Sequence, residues 1–387
     1  MPQPKLPDPP SLRTIVSVMV IALSVVLYIV SLTYSGTFDA VMISKTPAGR
    51  LEALKRQAET TLGNTASASW NTSLALSTVL PVLVALVGIP LTILPDSVFP
   101  MLMTILSVCT VGITGIIVWK LFPSNRIRLP ALAYILANLT LYEELKNPGF
   151  QLIRIILSGA LLLRIENGKN NKSVFFLLIF LMVLEPLNCI LPFMLLFGQQ
   201  RKISLAALGA WIILTGAILF TPFSLSYTDT LTHTFLSWIP TTYSITSIGK
   251  FLPLPLGFFG ALFFLALGGC IALSHRQSYP ISLAVGMILV VIFSSNSIPA
   301  SYLLPPALTI LLLLTGEIRF TPILAAVLFA IALPSPIFWI RVGTTTGDIL
   351  SSQNIAIAAI WHTYWGTLLI PGIILSKRIN PATIQLS

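Results

Sequence analysis

Charged side chains are scarce in this chain of 387 residues. Only 9% of the residues are charged, whereas 55% are hydrophobic. A soluble domain of this length needs roughly 25% charged residues to cover its surface. The shortage therefore excludes an ordinary soluble globular protein as the expectation from sequence, and it predicts an integral membrane protein with membrane lipids as its surroundings.

Cysteine and histidine are scarce as well, with three residues of each. Cys109, Cys189 and Cys270 all lie inside apolar segments, which favours small core residues over a disulfide framework. The histidines show none of the spacings that are typical of metal ligands; they are His233, His275 and His362. The sequence therefore predicts no metal site and no cofactor.

The net charge of +10 does not indicate a nucleic-acid partner, because the Lys and Arg residues lie singly in short loops. In a membrane protein such residues determine which side of the bilayer a loop occupies. Lys5 and Arg13 favour a cytoplasmic beginning of the chain, and Lys377 and Arg378 favour a cytoplasmic end. The first apolar run lacks a small-residue cleavage site, so it is predicted to be a retained helix.

Apolar runs recur along the whole chain. A membrane helix needs about 20 apolar residues, and its backbone groups must be hydrogen-bonded internally. We therefore predict an all-α polytopic membrane bundle, a single domain over 1–387 with about 10–13 transmembrane helices. The predicted location is the plasma membrane, multi-pass, as in a bacterial inner membrane. The candidate spans lie near 13–33, 72–94, 98–121, 129–142, 150–164, 174–197, 203–221, 254–274, 279–295, 301–315, 320–340 and 355–376.

The segment 36–70 is predicted to be an extracytoplasmic loop with a helix of its own. Leu51, Leu54 and Leu62 recur at helical spacing among charged residues. This pattern predicts an amphipathic helix near 47–62 that lies in the membrane interface. A solvated loop with some helicity is the alternative.

The apolar segment 174–197 is predicted to be broken in its middle. Pro186 and Pro192 each remove a helix hydrogen bond. Basic loops flank the segment at both ends, although a single crossing would place them on opposite sides of a bilayer. A break around 185–188 that faces an internal cavity accounts for both features. A second extracytoplasmic or re-entrant loop is predicted at 221–253.

Five short motifs follow one another along the chain. They are an acid that closes the first apolar run, a glycine–glutamine turn, a proline-containing segment before a basic loop, a serine-rich loop ending in lysine and leucine, and a serine–proline stretch. They occupy 36–39, 147–152, 184–202, 243–252 and 295–302. Their order resembles glycosyltransferase family 87, the polyprenol-phosphate-mannose-dependent mannosyltransferases with the GT-C fold. Glu185 and Ser301 depart from the family pattern, which has lysine and histidine at those places.

The resemblance implies inverting transfer of a hexose, most often mannose, from a polyprenyl-phosphate sugar to a lipid or glycan acceptor. Such a transfer requires a carboxylate that accepts the proton of the acceptor, and positive charge for the departing phosphate. Asp39 is the candidate catalytic base, and Lys250 with Arg154 are the candidates for holding the donor phosphate. The other candidate residues of the substrate cavity are Gln151, Glu185, Asn188, Ser244, Ser301 and Tyr302.

Each charged candidate also has a plainer interpretation. Asp39 is then a residue at a helix end, and Lys250 a lysine that extends its ammonium group from an interface. Arg154 and Glu185 are then buried charges that compensate each other. The two departures from the family pattern favour a second function, a non-catalytic subunit of a larger membrane assembly. A polysaccharide polymerase or a lipid transporter is a further alternative.

Overall fold

The computed structural model describes ten stretches of the chain and a few isolated residues. The stretches are 12–33, 89–95, 125–137, 151–166, 171–196, 200–220, 257–276, 279–294, 299–332 and 352–377. The isolated residues lie between 55 and 119 and at position 245. These parts are helical almost throughout, and an isolated antiparallel bridge joins Ile318 to Lys377.

The helices follow one another with short 3₁₀ segments between some of them. One 3₁₀ segment is Pro186–Cys189, and another is Pro299–Leu303. In chain order the α-helices are α1 (Leu12–Thr33), α2 (Asn125–Ala137), α3 (Gln151–Glu166), α4 (Asn171–Leu184), α5 (Ile190–Leu196), α6 (Arg201–Leu219), α7 (Gly257–Arg276), α8 (Tyr279–Phe293), α9 (Leu304–Thr315), α10 (Pro322–Ala332) and α11 (Ser352–Leu375), with a single helical turn at Ile89–Leu91.

Helix α8 lies at the centre of the packed helices. All of its residues from 280 to 293 are buried. Helices α3, α5, α7, α9 and α11 pack against it. A helix that is hydrophobic on every side has no face suited to water, so it is stable where other helices surround it. The continuous apolar composition of α8 therefore explains its central position.

The predicted break in the segment 174–197 is confirmed, whereas the internal cavity that it was expected to face stays a prediction. Helix α4 ends at Leu184, and Glu185 adopts an extended conformation with φ −152° and ψ 110°. The following Pro186 favours this conformation, because its ring clashes with a helical residue before it. The side-chain amide of Asn188 donates to the carbonyl of Leu181 at 2.7 Å, and the same carbonyl accepts the N–H of Glu185. The 3₁₀ segment is thus fastened to the last turn of α4.

Within the described stretches, no helix combines the length and the apolar composition that crossing a membrane requires. The prediction of a polytopic membrane bundle, and with it the plasma-membrane, multi-pass location, is therefore wrong for this part of the chain. Two predicted spans are divided or shortened, whereas a crossing needs about 20 helical residues. The span 174–197 divides at its 3₁₀ segment, and 301–315 keeps an α-helix of 12 residues.

The predicted loops 36–70 and 221–253 lie almost wholly outside the described residues, as do Leu51, Leu54 and Leu62. One residue of the predicted interfacial helix is described. Lys55 is helical and buried, and its Nζ donates to the carbonyl of Leu94 at 2.6 Å. A backbone carbonyl thus satisfies the ammonium group of this buried lysine.

The outer faces of the helices carry many large apolar side chains. Leu12, Ile213, Phe220 and Leu265 are among those that are mostly exposed. Extensive exposed apolar surface marks regions that contact other apolar surfaces. Experiments on the purified protein therefore require a mild detergent that covers these side chains.

Gly286 marks the close approach of α8 to α5. A Cβ atom at this position would lie 2.6 Å from Sδ of Met194 and 3.5 Å from Cδ2 of Leu191. Overpacking of this kind costs about 1–3 kcal/mol, and the better helix propensity of alanine offsets about 1 kcal/mol of it. We expect Gly286→Ala to lower the free energy of unfolding by up to about 2 kcal/mol in denaturant-induced unfolding.

Gly159→Ala is the matched control for this substitution. A Cβ atom at Gly159 would meet Cδ2 of Leu311 at 3.7 Å, which is an ordinary contact. This variant should be as stable as the wild type or slightly more stable. Equal stability of the two alanine variants would show that α5 and α8 are not packed as closely as described.

Candidate functional site

Two buried charged side chains, one on α3 and the other at the break after α4, act on each other. Arg154 lies on α3 and is 5% exposed, and Glu185 lies at the break and is 6% exposed. Each group acts electrostatically on the other. Taking a charge out of water is costly, so a buried ion requires an opposite charge or hydrogen bonds nearby. Each of the two residues supplies the other with an opposite charge.

The carboxylate of Glu185 also joins the break to the end of α8. Its Oε2 accepts a hydrogen bond from Oγ of Ser294 at 3.0 Å. Ser294 directly follows α8 and is fully buried, and its N–H bonds to the carbonyl of Val290. Asn188 is buried three residues beyond Glu185. Polar groups from three elements thus surround the carboxylate inside an apolar core.

Several buried polar atoms of this cluster have no hydrogen-bond partner among the residues that the structure describes. In the charged groups they are Nε and Nη2 of Arg154 and Oε1 of Glu185. The hydroxyl oxygen of Ser158, one turn after Arg154, is a further such atom. Nε and Nη2 form one edge of the guanidinium, which matches two oxygens of a carboxylate or phosphate. Buried polar groups are nearly always hydrogen-bonded. The cluster therefore has the donors and acceptors to hold a further polar group.

Burial and the opposite charge have opposing effects on this pair. Burial raises the pKa of Glu185, while Arg154, the Ser294 hydroxyl and the backbone at Leu187 counteract this shift. Burial lowers the pKa of Arg154, and the charge of Glu185 counteracts it. A guanidinium group stays protonated in proteins. Glu185 is therefore the member of the pair that can gain or lose a proton.

Cys189 ends the 3₁₀ segment beside this cluster. Burial raises the pKa of its thiol to about 12, and the charge of Glu185 adds to this effect. The thiolate is the nucleophilic form of cysteine. Cys189 is consequently a protonated thiol at neutral pH, and it does not supply a nucleophile to the cluster.

A second polar group lies at the 3₁₀ segment Pro299–Leu303. Ser301 and Tyr302 are buried there, and the Tyr302 hydroxyl lies 2.9 Å from Oγ1 of Thr363 on α11. The ring of Tyr302 is 5.4 Å from that of the buried His362. Burial raises the pKa of Tyr302, with the Thr363 hydrogen bond opposing the shift, so the phenol stays neutral. The family pattern has a histidine at the position of Ser301, and this chain has a buried serine there.

The structure brings several of the predicted site residues together. Glu185 and Asn188 both lie at the break, and Arg154 on α3 acts electrostatically on Glu185. Gln151 lies one turn before Arg154 on α3, and α3 also contacts the 3₁₀ segment that carries Ser301 and Tyr302. The remaining predicted residues fall outside the described part of the chain, so their positions stay predictions; they are Asp39, Ser244 and Lys250.

Sequence reasoning missed four polar residues of these clusters. Ser158 and Ser294 gave no signal, because single serines are common in apolar segments. His362 and Thr363 gave a weak one, since they interrupt an apolar run with the sequence Trp-His-Thr-Tyr-Trp. Their partners lie in distant parts of the chain, and Tyr302 and Thr363 are 61 positions apart.

Comparison with known proteins finds no matching family model, no matching curated protein and no matching solved structure. The chemistry of the site therefore rests on the residues of this chain.

Proposed function

We propose that this chain transfers a hexose, a mannose unit as the family resemblance implies, from a polyprenyl-phosphate sugar to a hydroxyl of a lipid or glycan acceptor. The buried Arg154–Glu185 cluster at the helix break carries the proposal. Its guanidinium presents two donors that no described residue accepts. Fixed donors in a water-poor interior stabilise a departing phosphate more strongly than the same donors in water.

The proposed reaction is a single displacement. The acceptor hydroxyl oxygen forms a bond to the anomeric carbon, and the bond from that carbon to the phosphate oxygen breaks. The proton of the hydroxyl passes to Asp39, and the electron pair of the broken bond stays on the phosphate. Attack opposite the leaving group inverts the anomeric configuration. Lys250 and Arg154 hold the negative charge that collects on the phosphate.

Glu185 is the residue that is hardest to reconcile with a lipid phosphate, because a carboxylate repels it. Two observations support its presence in such a site. The charge of Arg154 counteracts the effect of burial on the pKa of Glu185, and one oxygen of Glu185 is already engaged by Ser294. Burial also raises its pKa, which favours the neutral form. Glu185 is thus compatible with a bound phosphate.

Replacing Lys250 tests the proposed donor contact. We expect Lys250→Ala to raise the donor KM by roughly 10- to 100-fold, which is the effect of losing a hydrogen bond to a charged group. The acceptor KM should change little. The measurement is the initial rate of labelled-hexose transfer by purified protein at varied donor concentration.

Lys202→Ala is the matched control, because Lys202 is an exposed lysine at the beginning of α6. Its donor KM should equal that of the wild type. A Lys250→Ala variant that also keeps the wild-type donor KM would remove Lys250 from the proposed site.

A second function, that of a non-catalytic subunit, is favoured by one observation. Arg154 and Glu185 are both deeply buried and act on each other, as charges with a purely structural role do. A folded wild-type protein that transfers no hexose from any polyprenyl-phosphate donor would support this alternative.

A further inference from the structure

The Arg154–Glu185 cluster contains one positive and one potentially negative group in the same buried space. Its unpartnered atoms within the described residues are of both kinds, with two donors on Arg154 and an acceptor on Glu185. A bare phosphate site would present donors and positive charge only. The carboxyl group must therefore influence which phosphates the guanidinium can hold.

We propose that this cluster is an oxyanion site that accepts singly charged phosphodiesters and discriminates against doubly charged phosphate monoesters. The inference rests on the proposed function and deepens it. The sugar donor of that reaction is a phosphodiester, and the spent lipid is a phosphate monoester. The site would then hold the sugar donor and repel the lipid phosphate that the reaction releases.

The charges explain the direction of this preference. With Glu185 ionised, Arg154 and Glu185 sum to zero, so a phosphodiester brings the site to one negative charge and a phosphate dianion brings it to two. Repulsion between like charges is strong at short distance in an interior of low effective dielectric constant. Repulsion by Glu185 offsets the attraction of the second charge to Arg154, so the cost of burying that second charge remains uncompensated and the diester does not bear it.

The preference depends on the ionised form of Glu185, because protonation removes the charge that repels the phosphate. Burial raises the pKa of this carboxyl, so the preference requires a pH above the ordinary titration range of a glutamate. Within the described residues, the titratable groups that face Glu185 are Arg154 from α3 and Cys189 from the 3₁₀ segment, and the end of α8 contributes the neutral Ser294 hydroxyl.

Dimethyl phosphate and methyl phosphate are suitable probes, because they differ in charge but hardly in size. Dimethyl phosphate carries one charge throughout the accessible pH range, whereas a phosphate monoester loses its second proton near pH 6. Binding to the full-length wild-type protein is measured by phosphorus NMR titration at about pH 8 and about pH 5. Neither measurement requires sugar transfer.

At about pH 8 we expect the Kd of methyl phosphate to exceed that of dimethyl phosphate by at least about tenfold, which corresponds to 1.4 kcal/mol. At about pH 5, where both probes carry one charge, the two Kd values should differ by no more than about twofold. Glu185→Gln should bind both probes at pH 8 with a similarly small difference, because the amide keeps the shape of the carboxyl without its charge.

Equal affinity of the wild type for both probes at pH 8 would overturn the inference, and so would binding of neither probe. A preference that persists in Glu185→Gln would also overturn it. The comparison at two pH values needs no variant, so a misfolded Glu185→Gln leaves the test intact. A wild type that prefers dimethyl phosphate but transfers no hexose would refute the proposed function alone, and an active wild type without the preference would refute this inference alone.

Discussion

Asp39→Asn is expected to lower the rate of hexose transfer by roughly 100- to 10,000-fold, the usual loss when a positioned general base is removed. Asparagine has nearly the shape of aspartate but cannot accept the proton of the acceptor hydroxyl. The donor KM should change little, since Asp39 acts on the acceptor. The measurement is the single-turnover rate of transfer with saturating donor.

Glu317→Gln is the matched control for this substitution. Glu317 is a partly buried acid beyond the end of α9, and it lies outside the proposed site. Its single-turnover rate should equal that of the wild type. Both variants should unfold at the wild-type temperature, which shows that lost activity is not lost structure. A wild-type rate in Asp39→Asn would eliminate Asp39 as the base.

Arg154→Met is expected to lower the free energy of unfolding by roughly 3–5 kcal/mol at neutral pH, because it leaves a buried carboxylate without its counter-charge. Methionine fills similar space without charge. Removing the arginine also removes the influence that lowers the pKa of Glu185, so this pKa rises further above its ordinary value of 4.5. Thermal unfolding at several pH values measures the effect.

The pH dependence of this loss has a definite sign. A carboxyl group with a raised pKa in the folded state binds a proton more tightly when folded than when unfolded. Its contribution to stability is therefore complete below about pH 4.5 and is lost as the pH rises through the folded-state pKa. The stability of Arg154→Met should consequently be closest to that of the wild type in acid and furthest below it at neutral pH.

Two further variants separate charge from packing at this position. In Arg154→Met with Glu185→Leu the unpaired charge is absent, so much of the lost stability should return. Arg201→Met removes an exposed arginine at the beginning of α6 and should change stability by less than about 0.5 kcal/mol. An Arg154→Met variant as stable as the wild type at neutral pH would show that the two charges do not compensate each other.

The helix break and the Arg154–Glu185 cluster could be predicted from the sequence, because both depend on local or chemically specific signals. Proline removes a helix hydrogen bond wherever it stands. A charge within an apolar segment requires an opposite charge, and Glu185 was the natural choice for Arg154. The serine that engages Glu185 could not be predicted, since nothing local distinguishes Ser294 from other serines.

The architecture could not be predicted for a physical reason that α8 illustrates. A helix that is apolar on every side suits both a lipid bilayer and the centre of a helical protein. Composition is the same in the two cases, and the difference lies in what surrounds the helix. The structure surrounds α8 with α3, α5, α7, α9 and α11. Hydropathy also misses interruptions, so the span 174–197 looked continuous except for its prolines.

The most direct test of the central claim is hexose transfer by the purified wild-type protein in mild detergent. Polyprenyl-phosphate hexoses labelled in the sugar, including the mannose donor, are incubated with lipid and glycan acceptors, and the anomeric configuration of the product is determined by NMR. The proposed function predicts transfer that grows with time and protein concentration and inverts the anomeric centre. Absence of transfer from every such donor, by protein that unfolds cooperatively, would contradict it.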